Sequence, residues 1–108
     1  MIDDCFSALS NTYRREIIKL LKWKNMSVGE IANHFNISQP SISRHLEILK
    51  HAEIVTSKKE GNKIIYSLNL SVMDEIQIQL LDLFSRNSKS ILNYSPRLDF
   101  AKPTAKIP

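Results

Sequence analysis

Two helix-start signals set close together constrain this chain more than any other feature. Ser27-Val28-Gly29-Glu30 has the capping-box pattern, in which the Ser27 hydroxyl meets the amide of Glu30 and the Glu30 carboxylate reaches back. Ser38 is a second N-cap, followed by Gln39 and by Pro40 in the first turn, where a missing amide costs nothing. Between them Ile31, Ala32 and Phe35 are the inward candidates of the earlier helix, and Asn36, which tolerates the left-handed conformation, is expected to end it. That leaves a turn of about three residues, and two short helices across so tight a turn form a helix-turn-helix.

The later helix of the pair runs to about His51. On a helical projection Ile42, Leu46 and Leu49 fall in one narrow arc, its core side, with Pro40, Ser43, Arg44, Glu47 and His51 opposite. Its exposed N-terminal half offers the amide of Gln39, the hydroxyls of Ser41 and Ser43 and the guanidinium of Arg44. All of these can hydrogen-bond base edges or phosphates. The free amides and dipole of the helix N-terminus favour phosphate as well.

Around this pair the remaining elements are legible. Ile2, Cys5, Phe6 and Leu9 form one stripe of a short first helix. Asn11 or Ser10 caps a second helix in which Ile17, Ile18, Leu20 and Leu21 face inward and Arg14, Arg15, Lys19 and Lys22 flank them, ending near Lys24-Asn25. Ile54–Ser57 and Ile64–Leu68 are β-prone runs around Lys58-Lys59-Glu60-Gly61-Asn62-Lys63, which predicts a β-hairpin with a basic tip. Ser71, with Asp74 three later, opens a last helix whose main apolar face is Met73, Ile76, Leu80 and Leu83. Ile78 and Leu81 lie off that face, so the helix has a second apolar surface, read as a dimer contact. From Arg86 on the pattern fades, with Pro96, Pro103 and Pro108 among Lys102 and Lys106. The expected organisation is a DNA-binding and dimerisation domain over 1–85 and a mobile tail over 86–108.

Charge and composition narrow the function classes. The net charge is +4, and residues 13–24, with Arg14, Arg15, Lys19, Lys22 and Lys24 against Glu16, carry as much as the whole chain. That balance permits a polyanionic partner, and a solvated helix face is the other reading of such a charge run. The 108 residues suit one domain, and 43% hydrophobic with 24% charged residues excludes a wholly disordered chain. One cysteine, Cys5, allows neither an internal disulfide nor a cysteine-rich zinc site. No window is apolar enough for a membrane span and the start, Met1-Ile2-Asp3-Asp4, is acidic, so a cytoplasmic protein is expected. Two glycines, Gly29 and Gly61, leave no phosphate-cradling loop, and no nucleophile, base and orienting acid form a motif, so an enzyme is not expected.

From Leu9 through Leu68 the chain resembles the winged-helix repressors of the ArsR/SmtB family. The resemblance is carried by Ala8-Leu9-Ser10 before Arg14-Arg15, by Ser27-Val28-Gly29-Glu30-Ile31-Ala32, and above all by Ile37-Ser38-Gln39-Pro40-Ser41-Ile42-Ser43-Arg44-His45-Leu46-Glu47-Ile48-Leu49-Lys50. It implies a mainly α fold with a small β-hairpin, a winged helix-turn-helix that forms a homodimer through the first and last helices. On this chain those interface positions are Ile2, Cys5, Phe6, Met73, Ile76, Leu80, Leu83 and Phe84. It implies that Gln39, Ser41, Ser43 and Arg44 read bases and that Lys58, Lys59 and Lys63 are wing contacts on a double-stranded DNA operator. Asn11-Thr12-Tyr13 stands where many relatives have Asp-Pro-Thr, which keeps the cap and loses the proline.

Metal-sensing relatives have a cysteine pair in the third helix or histidine and carboxylate ligands along the last. Neither pattern is present, so no metal and no cofactor is expected, and His34, His45 and His51 are taken as structural or solvent-facing. The pattern is nearer the metal-independent autorepressor branch, which by analogy implies repression of its own promoter and relief by a membrane-protein anti-repressor. The alternative is a winged-helix protein-interaction module that has lost DNA binding.

Overall fold

Five helices and three strands follow one another in the computed structural model, which describes residues 2–86. They are α1 (Ile2–Leu9), α2 (Thr12–Leu21), β1 (Met26–Ser27), α3 (Val28–Ala32), α4 (Gln39–His51), β2 (Val55–Glu60), β3 (Lys63–Leu68) and α5 (Leu70–Phe84). The expected tail lies, from residue 87 on, outside the described residues. The described residues fall into two units, one running to Ile76 and the other starting at Gln77, so α5 crosses the division. No described helix is long and apolar enough to cross a membrane.

Local chemistry accounts for the helix ends. Asn11 caps α2, its side-chain oxygen accepting from the Arg14 amide at 3.1 Å. Both halves of the Ser27–Glu30 capping box form, at 2.9 Å and 3.3 Å, and the Ser27 amide then holds the Glu30 carboxyl below its ordinary pKa. Ser38 caps α4 through the Ser41 amide at 3.3 Å. α5 departs from the expectation: Asn69, not Ser71, is its cap, with its side chain accepting from the Val72 amide at 3.3 Å and its own amide donating to the Ile54 carbonyl at 2.8 Å. One residue thus starts the last helix and ties it to the strand entry.

The end of α3 also differs from the sequence reading. The helix stops at Ala32 with Asn33 as a right-handed cap, Phe35 lies beyond it, and Asn36 does not have a positive φ. The left-handed residue is Glu53, at φ 65° after α4. There the Glu53 amide donates to the Lys50 carbonyl at 2.9 Å and the Ile54 amide to the Leu49 carbonyl at 3.0 Å. These are the two bonds of a Schellman stop, closed by an apolar contact position pair, Leu49 and Ile54, that is fully buried.

The core of the first unit takes Ile17, Ile18 and Leu21 from α2, Ile31 from α3 and Ile42, Leu46 and Leu49 from α4. Val55 of β2 and Val72 and Ile76 of α5 are buried too. Burying one such side chain contributes about 1.5–3 kcal/mol, so the three α4 anchors fix which face of that helix remains outside. α1 presents Cys5 and Ala8 inward, whereas Phe6 is exposed and Ile2 and Leu9 are half-buried. Small side chains at i and i+3 let α1 approach its neighbours closely, and the Cys5 thiol donates to the Ala52 carbonyl at 3.6 Å.

The expected hairpin is part of a three-stranded antiparallel sheet in the order β1-β3-β2. β1, which the sequence pattern does not predict, pairs Met26 with Tyr66 and Ser27 with Ile65 along one edge of β3. The strands also run further than expected, to a tight turn at Gly61-Asn62. Gly61 has φ 63° and Asn62 does not have a positive φ, the pattern of a type II′ hairpin turn.

Candidate nucleic-acid interface

The α4 anchors turn Gln39, Ser43 and Arg44 into solvent, while Ser41 is half-buried. Ser41 is partly committed to the helix start, since its hydroxyl lies 3.0 Å from that of Ser38. The rim presented outward therefore has an amide, a free hydroxyl and a guanidinium within the first two turns, the chemistry that meets base edges in a major groove.

The three wing lysines lie on two faces of the hairpin. Cross-strand partners share a face, so Lys58, paired with Ile65, and Lys63, paired with Glu60, project from one side of the hairpin. Lys59 projects from the other with Ile64. Nearer the base that second side carries Val55 and Leu68, so it continues the core-covering face out to the tip. All three lysines are exposed.

A cluster that the sequence reading treated as flanking charge joins α4 to the rest of the first unit. The Arg14 guanidinium donates to the Ala8 carbonyl at 2.7 Å, to the Ser7 carbonyl at 3.3 Å and to Nδ1 of His45 at 3.1 Å. Arginine has no acceptor, so Nδ1 accepts and the ring proton sits on Nε2. Burial first, then Arg14 and Arg44, lowers the His45 pKa and keeps the ring neutral. Tyr13 stacks on the same ring at 5.6 Å and meets Phe35 edge-on at 5.9 Å. Arg15 donates to the Leu9 carbonyl at 2.8 Å. Both arginines thus satisfy the orphan carbonyls at the C-terminus of α1, where positive charge also suits the helix dipole.

Of the residues expected at a dimer contact, Cys5 and Ile76 are buried within the single chain, at 1% and 5% exposure. Burial also pushes the Cys5 thiol pKa up, away from the reactive thiolate. Ile2, Met73 and Leu80 are half-buried, and Phe6, Leu83 and Phe84 are exposed. Ile78 and Leu81, set apart in the sequence as a second surface, are exposed as well.

A helix-turn-helix whose second helix is anchored by three buried aliphatics, followed by a basic two-stranded wing, defines a winged helix-turn-helix regulator that binds DNA. Residues 12–57 match the family described as "Bacterial regulatory protein, arsR family". The chain is 41% identical over 90 residues to the transcriptional repressor SdpR of Bacillus subtilis, covering 83% of this chain and all of that protein. It is 37% identical over 81 residues to the arsenical resistance operon repressor of Staphylococcus aureus, covering 75% and 77% of the two chains. Its fold matches that of the ArsR-like transcriptional regulator from Rhodococcus sp. RHA1 with a TM-score of 0.74 at 24% identity, over 85% and 84% of the chains. The chain belongs to the arsR family of bacterial regulatory proteins.

Proposed function

We propose that this regulator represses transcription by occupying a palindromic operator as a homodimer, with Gln39, Ser43 and Arg44 reading bases, Ser41 assisting, and Lys58, Lys59 and Lys63 holding flanking phosphates. The observation that carries this reading is the outward Gln39–Arg44 edge of α4 above three fully buried anchors. Two copies are needed because one helix covers too few bases for a unique site, and a two-fold axis gives the operator its palindrome. The apolar side chains left in solvent on α5, Ile78, Leu81, Leu83 and Phe84, support a second copy. Its own promoter is the first operator to test. The protein acts as a binding module in the cytoplasm, not as an enzyme, and relief by a membrane-protein partner belongs to the same proposal by family analogy.

Sequencing the DNA retained by purified protein identifies the operator, and titration across salt then tests the interface. Affinity should fall log-linearly with salt, by about 0.9 in slope for each phosphate neutralised, and a flat response contradicts the proposal. Arg44→Ala should cost about 1–3 kcal/mol at one base pair and relax preference there, because a charge-assisted guanine contact is lost. Unchanged preference removes the role given to Arg44.

A further inference from the structure

Trp23 is the chain's single tryptophan and, at 86% exposure, the most solvent-exposed large apolar side chain among the described residues. It stands just after α2, its amide held by the Leu20 carbonyl at 3.0 Å. Beside it is an open groove of about 580 Å³, with apolar walls from Leu21, Leu68 and Leu70 and with Lys22 and Lys24, the chain neighbours of Trp23, also lining it. Leu70 is itself 69% exposed.

The charge around this groove follows from where the basic segment's other members go. Arg14 and Arg15 are hydrogen-bonded to carbonyls of α1, and Lys19 is paired with Glu16 at 3.2 Å. Lys22 has no ion-pair partner among the described residues, and the Lys24 ammonium lies 3.8 Å from Glu30 with both groups largely in solvent. The outward positive charge of residues 13–24 is therefore concentrated on either side of Trp23.

We propose that this groove docks an acidic, apolar segment of a partner protein, with an aromatic or long aliphatic side chain between Trp23 and Leu70 and carboxylates on Lys22 and Lys24. Tryptophan is the residue type that most often carries binding energy at protein interfaces, and flanking lysines select an acidic partner by complementarity and steering. Concavity favours a peptide over a bilayer, since a lipid surface accepts the ring but leaves the groove unfilled. The groove sits at the Leu68 end of β3, about 17 Å along the strand from Lys63 at the wing tip, so occupancy is compatible with a wing on DNA. This inference goes beyond the operator reading and stands without it.

The lone tryptophan supplies the readout. Full-length protein is titrated with short synthetic peptides alternating Glu or Asp with Leu or Phe, and with two controls, one carrying Lys for the acids and one carrying Ser for the apolar residues. The acidic apolar peptides should shift Trp23 emission to the blue, saturably, with a midpoint of about 1–100 μM that weakens as salt rises. By anisotropy of the labelled peptide, Trp23→Ala and the pair Lys22→Glu with Lys24→Glu should each bind at least about tenfold more weakly, with circular dichroism unchanged. Each of several outcomes overturns the proposal. These are no saturable shift up to about 1 mM peptide, an equal response to either control, or a shift produced by anionic phosphatidylglycerol vesicles or by duplex DNA in place of the peptides. A blue shift that grows with protein concentration alone assigns the groove to a second copy. A blue-shifted resting emission that reverts on deletion of residues 87–108 assigns it to the chain's own C-terminal segment.

Discussion

Replacing Arg14 by alanine should show that this side chain fixes the reading helix to the first helix. Three bonds are lost, at 2.7, 3.1 and 3.3 Å, of which the first two have good lengths and the third is long. Charge-assisted bonds contribute about 1.5–3 kcal/mol each, and the half-exposed setting puts these at the low end, so the expected loss is about 2–3 kcal/mol. That is a drop in melting temperature on the order of 10–20 °C for a domain of this size. Urea unfolding at fixed protein concentration measures it, since an oligomer's midpoint moves with concentration. Arg15→Ala is the control. Its guanidinium is exposed and holds only the Leu9 carbonyl and the Thr12 hydroxyl, so it should cost less than about 1 kcal/mol. A double-mutant cycle of Arg14→Ala with His45→Ala should give a coupling of about 1 kcal/mol. Equal costs for the two arginines, or additivity of Arg14→Ala and His45→Ala, would refute this role of Arg14.

Protonation attacks the same contact. His45 is neutral in the fold and its pKa is lowered from 6.5, so the unfolded chain takes up the proton first as pH falls. Its contribution is complete above pH 6.5 and declines as pH drops from there toward the folded value; His45→Phe should flatten that decline in urea titrations, and an unchanged slope would place the titration elsewhere. Glu53→Gly should stabilise by about 0.5–1 kcal/mol, because the left-handed φ of 65° costs a side-chain residue about 1–2 kcal/mol and glycine's extra unfolded freedom returns part of it. Stability no greater than that of Glu53→Ala would contradict the assigned backbone conformation. Leu83→Glu, at a position 64% exposed in the single chain, should leave helicity intact, shift sedimentation toward monomer and weaken operator binding at least about tenfold. An unchanged mass moves the dimer contact elsewhere.

What was legible in the sequence is what depends on a few neighbouring residues. The caps at Asn11, Ser27 and Ser38 each join groups three residues apart, and the Ile42, Leu46 and Leu49 arc lies within one helix, so the outward edge of α4 could be read directly. β1 could not be, because two residues have no period and Met26 and Ser27 become a strand only by pairing with Tyr66 and Ile65. Propensity favoured Asn36 for the left-handed site, yet the chain places it at Glu53, where closing the Leu49–Ile54 contact outweighs the side-chain penalty. The basic segment is the most instructive case. Its summed charge permitted a polyanion, but the fold directs Arg14 and Arg15 onto helix-end carbonyls, acceptors that no charge count identifies, and pairs Lys19 with Glu16. Charge alone therefore does not locate the DNA face of this chain. The guanidinium that remains on the α4 edge is Arg44, and on this argument base preference should follow Arg44, while loss of Arg14 should be felt first as loss of fold.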